Sequence, residues 1–167
     1  MNQARFTLRE VKNSDHNWLV LLHNDPEVLF NMTNPSIITL ESHMKWWSTI
    51  DNKKQIRKIF YLNEIKIGFA KFYNVDYVNK NCVLGGDIEK KHRGNGYAKY
   101  MWKLMLDYCY DELGMYRVSL TTAEYNNIGK RVYDNIGFKE EGRFKKSLLR
   151  DGIFYDQICM YHLKEWR

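Results

Sequence analysis

Hydrophobic and polar residues alternate with a period of about two along much of the chain, which is the spacing of half-buried β-strands. Segments with this pattern or with strand-like composition cover residues 4–11, 57–62, 66–73, 82–88, 117–123, 138–144 and 153–163. Turn-forming residues separate two pairs of these segments, at Asn63-Glu64 and at Asp151-Gly152. Each of these pairs is expected to form a hairpin, and the whole pattern predicts about seven strands.

Other segments carry apolar residues at the i, i+3, i+4 spacing of amphipathic helices. Ser14 is the expected cap of one that runs to Leu22, and Thr39 of one that runs to about Ile50. Two more follow at residues 97 to about 114 and 129–136, while 27–32 is short and irregular or helical. The order predicts an α+β fold with a single mixed, mostly antiparallel central sheet of about seven strands and about four helices on its faces. One domain spanning residues 1–167 is expected.

Composition narrows the class of protein. The chain has 167 residues, of which 44% are hydrophobic and 15% aromatic, so it is expected to fold around a substantial core. No apolar run approaches membrane-spanning length, and residues 1–10 lack the apolar core of a signal peptide. We therefore expect a cytoplasmic protein without a membrane partner. Cys82, Cys109 and Cys159 are predicted to be buried free thiols, and no Cys/His spacing predicts a metal site.

The charge balance favours an anionic partner. The formal net charge is +6 and the isoelectric point is about 9.1. Basic residues are dispersed apart from short clusters at 53–54, 90–93 and 143–146, and no nucleic-acid recognition motif is present. A phosphorylated small molecule is therefore expected rather than a nucleic acid.

A glycine-rich turn at residues 91–98 connects a predicted strand to a predicted helix. Such a turn directs backbone N–H groups outward and adds the positive end of the helix dipole, so it suits a phosphate or pyrophosphate. Gly94 and Gly96 permit a sharp turn, and basic residues precede them. An ordinary helix entry is the alternative for the turn alone. The chain has no P-loop signature, and Lys99 stands where a dinucleotide fingerprint needs its third glycine.

Three motifs, in this order, resemble those of the GNAT superfamily of acetyl-CoA-dependent N-acetyltransferases. Lys91-x-x-Gly94-x-Gly96 resembles the superfamily's pyrophosphate loop, R/Q-x-x-G-x-G/A, with lysine in place of arginine or glutamine. Asn126 precedes Tyr133 by seven residues, and Tyr133 opens a stretch similar to the family's Y-x-x-x-G-F. The resemblance implies the GNAT fold, acetyl-CoA as co-substrate and no metal.

The N-terminal third is similar to bacterial-type amino-sugar N-acetyltransferases at residues 23–28 and 38–46. This similarity implies a nucleotide-linked amino sugar as the acceptor of the acetyl group. The tail, at residues 137–143 and 151–156, resembles a wider branch that also includes ribosomal-protein N-terminal and spermidine acetyltransferases. Protein N-termini and polyamines are therefore alternative acceptors, and a non-catalytic acyl-CoA-binding module is a further alternative. The final strands suggest a homodimer.

The resemblance also implies where the co-substrate binds. The fourth strand should splay from the fifth at a bulge, with the pantetheine arm in the gap like an added strand. Backbone groups of Ile88 and Glu89 would contact this arm, and Asn126 and Lys130 would line the other side. The predicted pyrophosphate contacts are Lys91, His92, Arg93, Gly94, Asn95, Gly96 and Tyr97.

Tyr133 is the predicted general acid, because a phenol with a reference pKa near 10 can protonate a departing thiolate. Asp87, at the end of the fourth strand, is the predicted base, and Glu124 and His43 are weaker candidates. Some relatives use a glutamate where this chain has Thr121, which cannot serve.

Two residues of the third helical segment are predicted to contact the acceptor. His43 and Trp46 are three residues apart and so lie near one helix face, where they could stack on a base or sugar. For both residues, and for Tyr133 and Asp87, a purely structural role is the alternative.

Overall fold

The computed structural model describes residues 4–167, so the first three residues of the predicted domain lie outside the described part. Within that part the strands are β1 (Phe6–Glu10), β2 (Ile56–Leu62), β3 (Ile65–Asp76), β4 (Asn81–Ile88), β5 (Arg117–Ala123), β6 (Lys139–Arg150) and β7 (Ile153–Leu163). The α-helices are α1 (His16–His23), α2 (Pro26–Asn31), α3 (Leu40–Trp47), α4 (Tyr97–Asp107) and α5 (Asn127–Asn135).

All of these strands form one sheet in the order β1-β2-β3-β4-β5-β7-β6. Neighbouring strands are antiparallel except β4 and β5, which run parallel. The arrangement confirms the predicted mixed, mostly antiparallel sheet of an α+β fold. β4 and β5 pair only where Asn81–Val83 meets Arg117–Ser119, and they diverge beyond that point. The predicted splay is therefore present. The irregularity in the pairing of β4, however, lies on the side of β3, between Tyr73 and Asp76, and not on the side of β5.

The main hydrophobic core lies between α4 and one face of the sheet. α4 contacts β1, β3 and β4, and it buries Met101, Trp102, Met105 and Leu106 at helical spacing. The buried strand residues of this core include Phe60, Ala70, Phe72, Cys82, Leu84, Val118, Leu120, Ile158 and Met160. They stand at alternate positions along their strands, which explains the period-two pattern in the sequence.

The opposite face of the sheet carries α1 and α3, which pack against each other. On this face Arg57 and Ile59 of β2 lie directly opposite Lys71 and Phe69 of β3. The end of α2 is fastened to the C-terminal half of the chain, because the carbonyl of Phe30 accepts hydrogen bonds from side chains of two later segments. The N-terminal helices and this face of the sheet therefore enclose a space.

Several predicted helix boundaries need correction. Ser14 is not a cap, because residues 13–15 form a 3₁₀ turn and α1 begins after Asp15, whose carboxylate accepts the N–H of Lys12 (2.8 Å). The hydroxyl of Thr39 does cap α3, but the helix ends at Trp47, before Ile50. The predicted helix at 97–114 divides into α4 and a π-helical segment at 108–112. Residues 26–31 form α2, which raises the number of described α-helices to five.

The three cysteines are free thiols, as predicted. Cys82 and Cys109 are buried with their sulfurs 3.4 Å apart, whereas Cys159 is half-buried. No helix within residues 4–167 has both the length and the apolar character needed to cross a membrane.

Candidate active site

A cleft opens where β4 and β5 diverge, and it leads into a cavity of about 800 Å³ on the α1–α3 side of the sheet. Residues of α1–α3 and β2–β5 line the cavity. Trp102 and Tyr133 reach the same space from the α4 side of the sheet. The space therefore connects the two faces of the sheet at the point where the strands part.

Backbone groups of β4 line this gap in alternation. The N–H of Glu89 donates to the carbonyl of Ile67 on β3 (2.9 Å), and the carbonyl of Glu89 accepts the N–H of His92 (2.8 Å). Because successive strand residues direct their backbone groups to opposite neighbours, Gly86 and Ile88 face the gap. The N–H of Ile88 is thus in position for the predicted pantetheine contact, while the carbonyl of Ile88 already accepts a hydrogen bond from Arg93. The prediction for Glu89 needs correction, since both of its backbone groups are engaged.

The glycine-rich loop presents backbone N–H groups at the start of α4. Gly94 and Gly96 have φ of 79° and 73°, in the left-handed region that favours glycine. A Cβ at either position would meet no atom within 4 Å, so the loop faces open space. Within the described part of the chain, the N–H groups of residues 94–98 make no hydrogen bond to a backbone carbonyl. The geometry suits a phosphate, which would accept these hydrogen bonds and face the positive end of α4.

Arg93 makes contacts that the sequence did not predict. Its Nε donates to the carbonyl of Ile88 (2.9 Å), Nη1 to Glu27 (2.8 Å) and Nη2 to Asp25 (2.9 Å). Burial would raise the pKa of Asp25, but Arg93 and the backbone N–H groups of α2 lower it overall. These three bonds link the loop to α2 and use three of the five N–H groups of the guanidinium, so the predicted contact with a pyrophosphate stays a prediction.

The remaining loop side chains differ in how far they are engaged. The side chain of Lys91 is 66% exposed, with Nζ 3.3 Å from the Glu89 carboxylate, and His92 Nε2 lies 3.6 Å from the same group. The amide of Asn95 donates to the carbonyls of His92 and Arg93, so it shapes the loop. Tyr97 packs its ring against the N-terminal strand and offers the site its backbone N–H.

On the other side of the gap, the predicted contacts are Asn126 and Lys130. Asn126 caps α5: its Oδ1 accepts the N–H of Gly129 (3.0 Å), and its Nδ2 donates to the Thr122 hydroxyl (3.1 Å). It also lines the cavity. Lys130 instead pairs with Asp134 one turn along α5 (2.9 Å) and lies outside the cavity lining. The predicted contact of Lys130 with the co-substrate stays a prediction.

Tyr133 projects from α5 into the gap. Its ring packs edge-on against Trp102, with 4.7 Å between ring centroids, and also against Phe138. Burial raises the pKa of Tyr133 above its ordinary value, and the nearby Asp87 carboxylate raises it further. The phenol is therefore protonated at neutral pH, which is the state that a general acid needs.

Asp87 faces the same space in a close ion pair. Lys71 Nζ lies 2.5 Å from Asp87 Oδ2, and both side chains are largely buried. Burial would lower the pKa of Lys71, but Asp87 and Tyr73 outweigh this effect and leave it raised, so Lys71 stays charged. Glu124 is less suited to act as a base, because it accepts the backbone N–H of Asp156 (2.8 Å) and lies outside the cavity lining.

His43 and Trp46 both line the cavity, where the predicted acceptor contacts would be made. His43 is buried, and its Nε2 lies 3.0 Å from Nδ1 of His16. Burial lowers the pKa of His43, and His16 and His23 lower it further, so the imidazole is largely neutral at pH 7. Trp46 is 44% exposed and therefore accessible to a bound molecule.

Two charged residues that line the cavity, Arg57 and Lys71, were not among the residues predicted from the sequence. They are only 6% and 8% exposed, and they lie directly opposite each other on β2 and β3. A signal for them was present, because each stands next to an apolar residue within its strand. Basic residues are rarely buried unless they are paired, so a basic residue within such a strand is a candidate functional group.

Comparison with known proteins identifies the family. Residues 5–139 match the family described as the acetyltransferase (GNAT) domain. The match covers well over half of the chain, and the chain belongs to this family. It is therefore an enzyme of the acyltransferase class, an N-acetyltransferase that uses acetyl-CoA.

Its relatives include proteins with different named substrates. The chain is 27% identical to the SPbeta prophage-derived uncharacterized N-acetyltransferase YokL of Bacillus subtilis, over 95% of this chain and 90% of that one. It is 31% identical to the putative ribosomal N-acetyltransferase YdaF of the same species, over 59% and 55% of the two chains. It is 26% identical to a spermidine N(1)-acetyltransferase of Vibrio cholerae, over 59% and 57%. The last two similarities thus span little more than half of each protein.

A solved structure has the same fold over nearly the whole chain. The crystal structure of spermidine N-acetyltransferase from Vibrio cholerae in complex with CoA and spermine has a TM-score of 0.90, with 96% of each chain covered and 21% identity. This similarity confirms the predicted GNAT fold. None of these relatives is named for an amino-sugar substrate, so the prediction of an amino-sugar nucleotide gains no support from them.

Proposed function

We propose that this enzyme transfers the acetyl group of acetyl-CoA directly to the primary amine of a small molecule held in the cavity beneath α1–α3. The observation that carries the proposal is the continuity of the space. The gap between β4 and β5, which runs toward the glycine-rich loop, opens into the cavity, and Tyr133 and Asp87 both line this space. A co-substrate in the gap and an acceptor in the cavity would meet beside these two side chains.

Acetyl-CoA supplies an activated thioester, so the protein needs only to position the amine and to move protons. The amine nitrogen bonds to the carbonyl carbon, and the carbon–sulfur bond breaks. Tyr133 donates its phenolic proton to the leaving thiolate. Asp87, held by Lys71, accepts the proton that the attacking amine loses, directly or through a water molecule. Gly86 and Ile88 hold the pantetheine arm through their backbone, and the loop at 94–98 holds the pyrophosphate.

A polyamine is the acceptor that several relatives suggest. A spermidine N-acetyltransferase shares the fold over 96% of the chain, and a spermidine N(1)-acetyltransferase is 26% identical over 59%. YdaF is named as a putative ribosomal N-acetyltransferase, which supports a protein acceptor less directly because its similarity spans 59% of this chain. Spermidine is therefore the first acceptor to test, ahead of the amino-sugar nucleotide.

The test is thiol release from acetyl-CoA with spermidine, a nucleotide-linked amino sugar and a ribosomal N-terminal peptide, with mass spectrometry of the acetylated product. We expect release that depends on a small acceptor, with the acetyl group on its primary amine. Release with the peptide alone would move the function to protein acetylation. Binding of CoA without turnover of any acceptor would favour the non-catalytic module.

A further inference from the structure

The α1–α3 face of the sheet carries a row of charged side chains beneath the cavity. Arg57 on β2 lies opposite Lys71 on β3, and Lys71 lies opposite Gly85 on β4. Asp87 follows two residues later on the same face of β4. All of them line the cavity. The row holds two positive charges and one negative charge. Because Lys71 forms an ion pair with Asp87, no negative charge in the row remains for Arg57.

Arg57 has no anionic partner in the described part of the chain. Its guanidinium donates only to neutral oxygens, which are the carbonyls of Ile56 (3.0 Å) and Phe72 (3.1 Å) and the side-chain oxygen of Gln55 (3.1 Å). Its Nε is buried and makes no hydrogen bond within residues 4–167. At 6% exposure, this is a buried charge without a counter-ion, which is costly unless a ligand supplies one.

Two aromatic rings hold the guanidinium in place. It lies 4.4 Å from the ring centroid of Tyr73 and 5.8 Å from that of Trp46, and both residues line the cavity. Burial lowers the pKa of Arg57, but arginine stays charged at any working pH. The cavity therefore contains a fixed, oriented cation with a hydrogen-bond donor to spare.

The rest of the cavity lining offers little to a polycation. Its ionisable side chains other than tyrosines are His23, His43, Arg57, Lys71 and Asp87. The only carboxylate in this set is Asp87, which Lys71 already binds. A polyamine would therefore bring several positive charges beside Arg57 with no free carboxylate among the described lining residues to balance them.

We propose that Arg57 binds an anionic group of the acceptor, so that the preferred acceptor carries a carboxylate or phosphate as well as its reactive amine. This inference rests on the proposed acetyl transfer to a small amine. Two strand spacings of about 4.8 Å across the sheet and two residues along β4 separate the backbone at Arg57 from that at Asp87 by roughly 12 Å, so the anion and the amine lie on the order of 10 Å apart. The acceptor is therefore an extended molecule, not an α-amino acid whose amine and carboxylate share one carbon.

The experiment compares amines with a six-carbon chain that differ in the group opposite the reactive amine. They are 6-aminohexanoate, 6-aminohexyl phosphate, hexylamine and 1,6-diaminohexane, and spermidine is tested as a fifth acceptor. Steady-state kinetics with acetyl-CoA are measured for the wild type, Arg57→Gln and Arg57→Lys. The control is Lys58→Gln, because Lys58 is the next residue on β2, lies on the opposite face and pairs with Glu10. Unfolding curves establish that each variant is folded.

We expect kcat/KM for one or both anionic amines to exceed that for the diamine by at least about tenfold. Arg57→Gln should remove most of this preference through KM, Arg57→Lys should keep part of it, and Lys58→Gln should keep all of it. The stronger of the two anionic amines identifies carboxylate or phosphate as the group that is bound. A wild type that prefers spermidine or the diamine, with a ratio that Arg57→Gln leaves unchanged, would overturn the inference.

Calorimetric binding separates this inference from the proposed function. The N-acetylated forms of the same four amines are titrated into the wild type and into Arg57→Gln in the presence of CoA. If the anionic forms bind more tightly than the others, and if this difference is lost in Arg57→Gln, the inference is supported. It is supported even if no amine is acetylated, and then only the proposed function fails. Equal binding of all four forms, or no binding of any, overturns it.

Discussion

The two ends of the active site are built in different ways. The co-substrate end uses backbone groups of one continuous stretch, from Gly86 through the loop to the start of α4. The acceptor end uses side chains from β2, β3 and β4 and from the N-terminal helices, which are far apart in sequence. Backbone recognition depends on glycines and on a helix N-terminus, whereas side-chain recognition depends on which residues the sheet brings together.

This difference suggests how proteins of one family could accept different acetyl acceptors. In the proposed mechanism the loop and the splayed strands bind a part of acetyl-CoA that is the same whatever the acceptor. Charged side chains in the acceptor cavity, such as Arg57 and Lys71, can differ between proteins without changing the sheet that holds them. A fold shared with spermidine N-acetyltransferases at 21% identity is thus compatible with a different acceptor.

The largest effect is expected for a substitution of Tyr133, which lies where the two ends of the active site meet. Tyr133→Phe removes the phenolic proton and keeps the ring against Trp102, so kcat should fall by about 10²- to 10⁴-fold, with the affinity for acetyl-CoA little changed. Stopped-flow thiol release and calorimetry measure the two quantities. Tyr116→Phe is the matched control, because that hydroxyl binds Glu165 at the surface, and it should leave kcat unchanged. A loss of less than tenfold in Tyr133→Phe would mean that the tyrosine serves packing alone.

The ion pair beneath the cavity should make the next largest contribution. Asp87→Asn leaves the buried Lys71 without its partner, so we expect the free energy of unfolding to fall by about 3 kcal/mol. Adding Lys71→Met should restore much of the stability, because the isolated charge is then gone. Urea unfolding measures the stability, and thiol release measures the activity.

The double variant separates a structural role of the pair from a chemical one. Stability regained without activity would support Asp87 as the proton acceptor. Activity regained together with stability would contradict that role and leave the pair as a structural element. A cost below about 1 kcal/mol in Asp87→Asn would be typical of an exposed ion pair and would contradict the burial seen here.

The sequence predicted most of the fold, because its signals are local, and the proposed co-substrate end rests on local signals of the same kind. Alternation indicated the strands, and two glycines next to a helix indicated the loop. The contact of Arg93 with Asp25 was not predicted, because the two residues are 68 positions apart and proximity to the loop says nothing about such a contact. Glu89 was misassigned because the pattern does not tell which strand residues direct their backbone toward the gap.

The acceptor end was predicted only in part. His43 and Trp46 were found because they share a helix face, which has a recognisable spacing. Arg57 and Lys71 meet only through the register of β2 on β3, and register follows from the pairing of the whole sheet. The sequence could not predict either that Arg57 has no anionic partner among the described residues, since this depends on all the side chains that surround Arg57.

The contacts of Arg93 with α2 give a third prediction. Arg93→Gln removes the contacts with Asp25 and Glu27, so we expect a loss of about 1–2 kcal/mol of stability and a higher KM for the acceptor, since α2 borders the cavity. Asp25 has a lowered pKa in the folded protein, so the stabilisation that it gains is present above its unfolded pKa and is lost as pH falls through the folded value. The stability difference between wild type and variant should therefore shrink below about pH 4.

Lys91→Gln is the matched comparison for Arg93→Gln, because Lys91 lies on the same loop with an exposed side chain. It should leave stability unchanged and raise the KM for acetyl-CoA only slightly. An Arg93→Gln variant as stable as the wild type but with a tenfold weaker affinity for acetyl-CoA would instead support the predicted contact of Arg93 with the pyrophosphate. Thermal unfolding between pH 3 and 8 and steady-state kinetics distinguish the two results.

The smallest effect concerns the backbone of the loop. Gly96 and Gly114 both have positive φ, 73° and 68°, and a Cβ at either would meet no atom within 4 Å, so alanine is strained at both positions without a clash. We expect Gly96→Ala and Gly114→Ala each to cost about 1–2 kcal/mol of stability. Only Gly96 precedes the N–H groups that face the pyrophosphate, so only Gly96→Ala should weaken acetyl-CoA binding, by up to about tenfold. Equal affinities in the two variants would show that the co-substrate end depends on side chains, as the acceptor end does, and would remove the contrast between them.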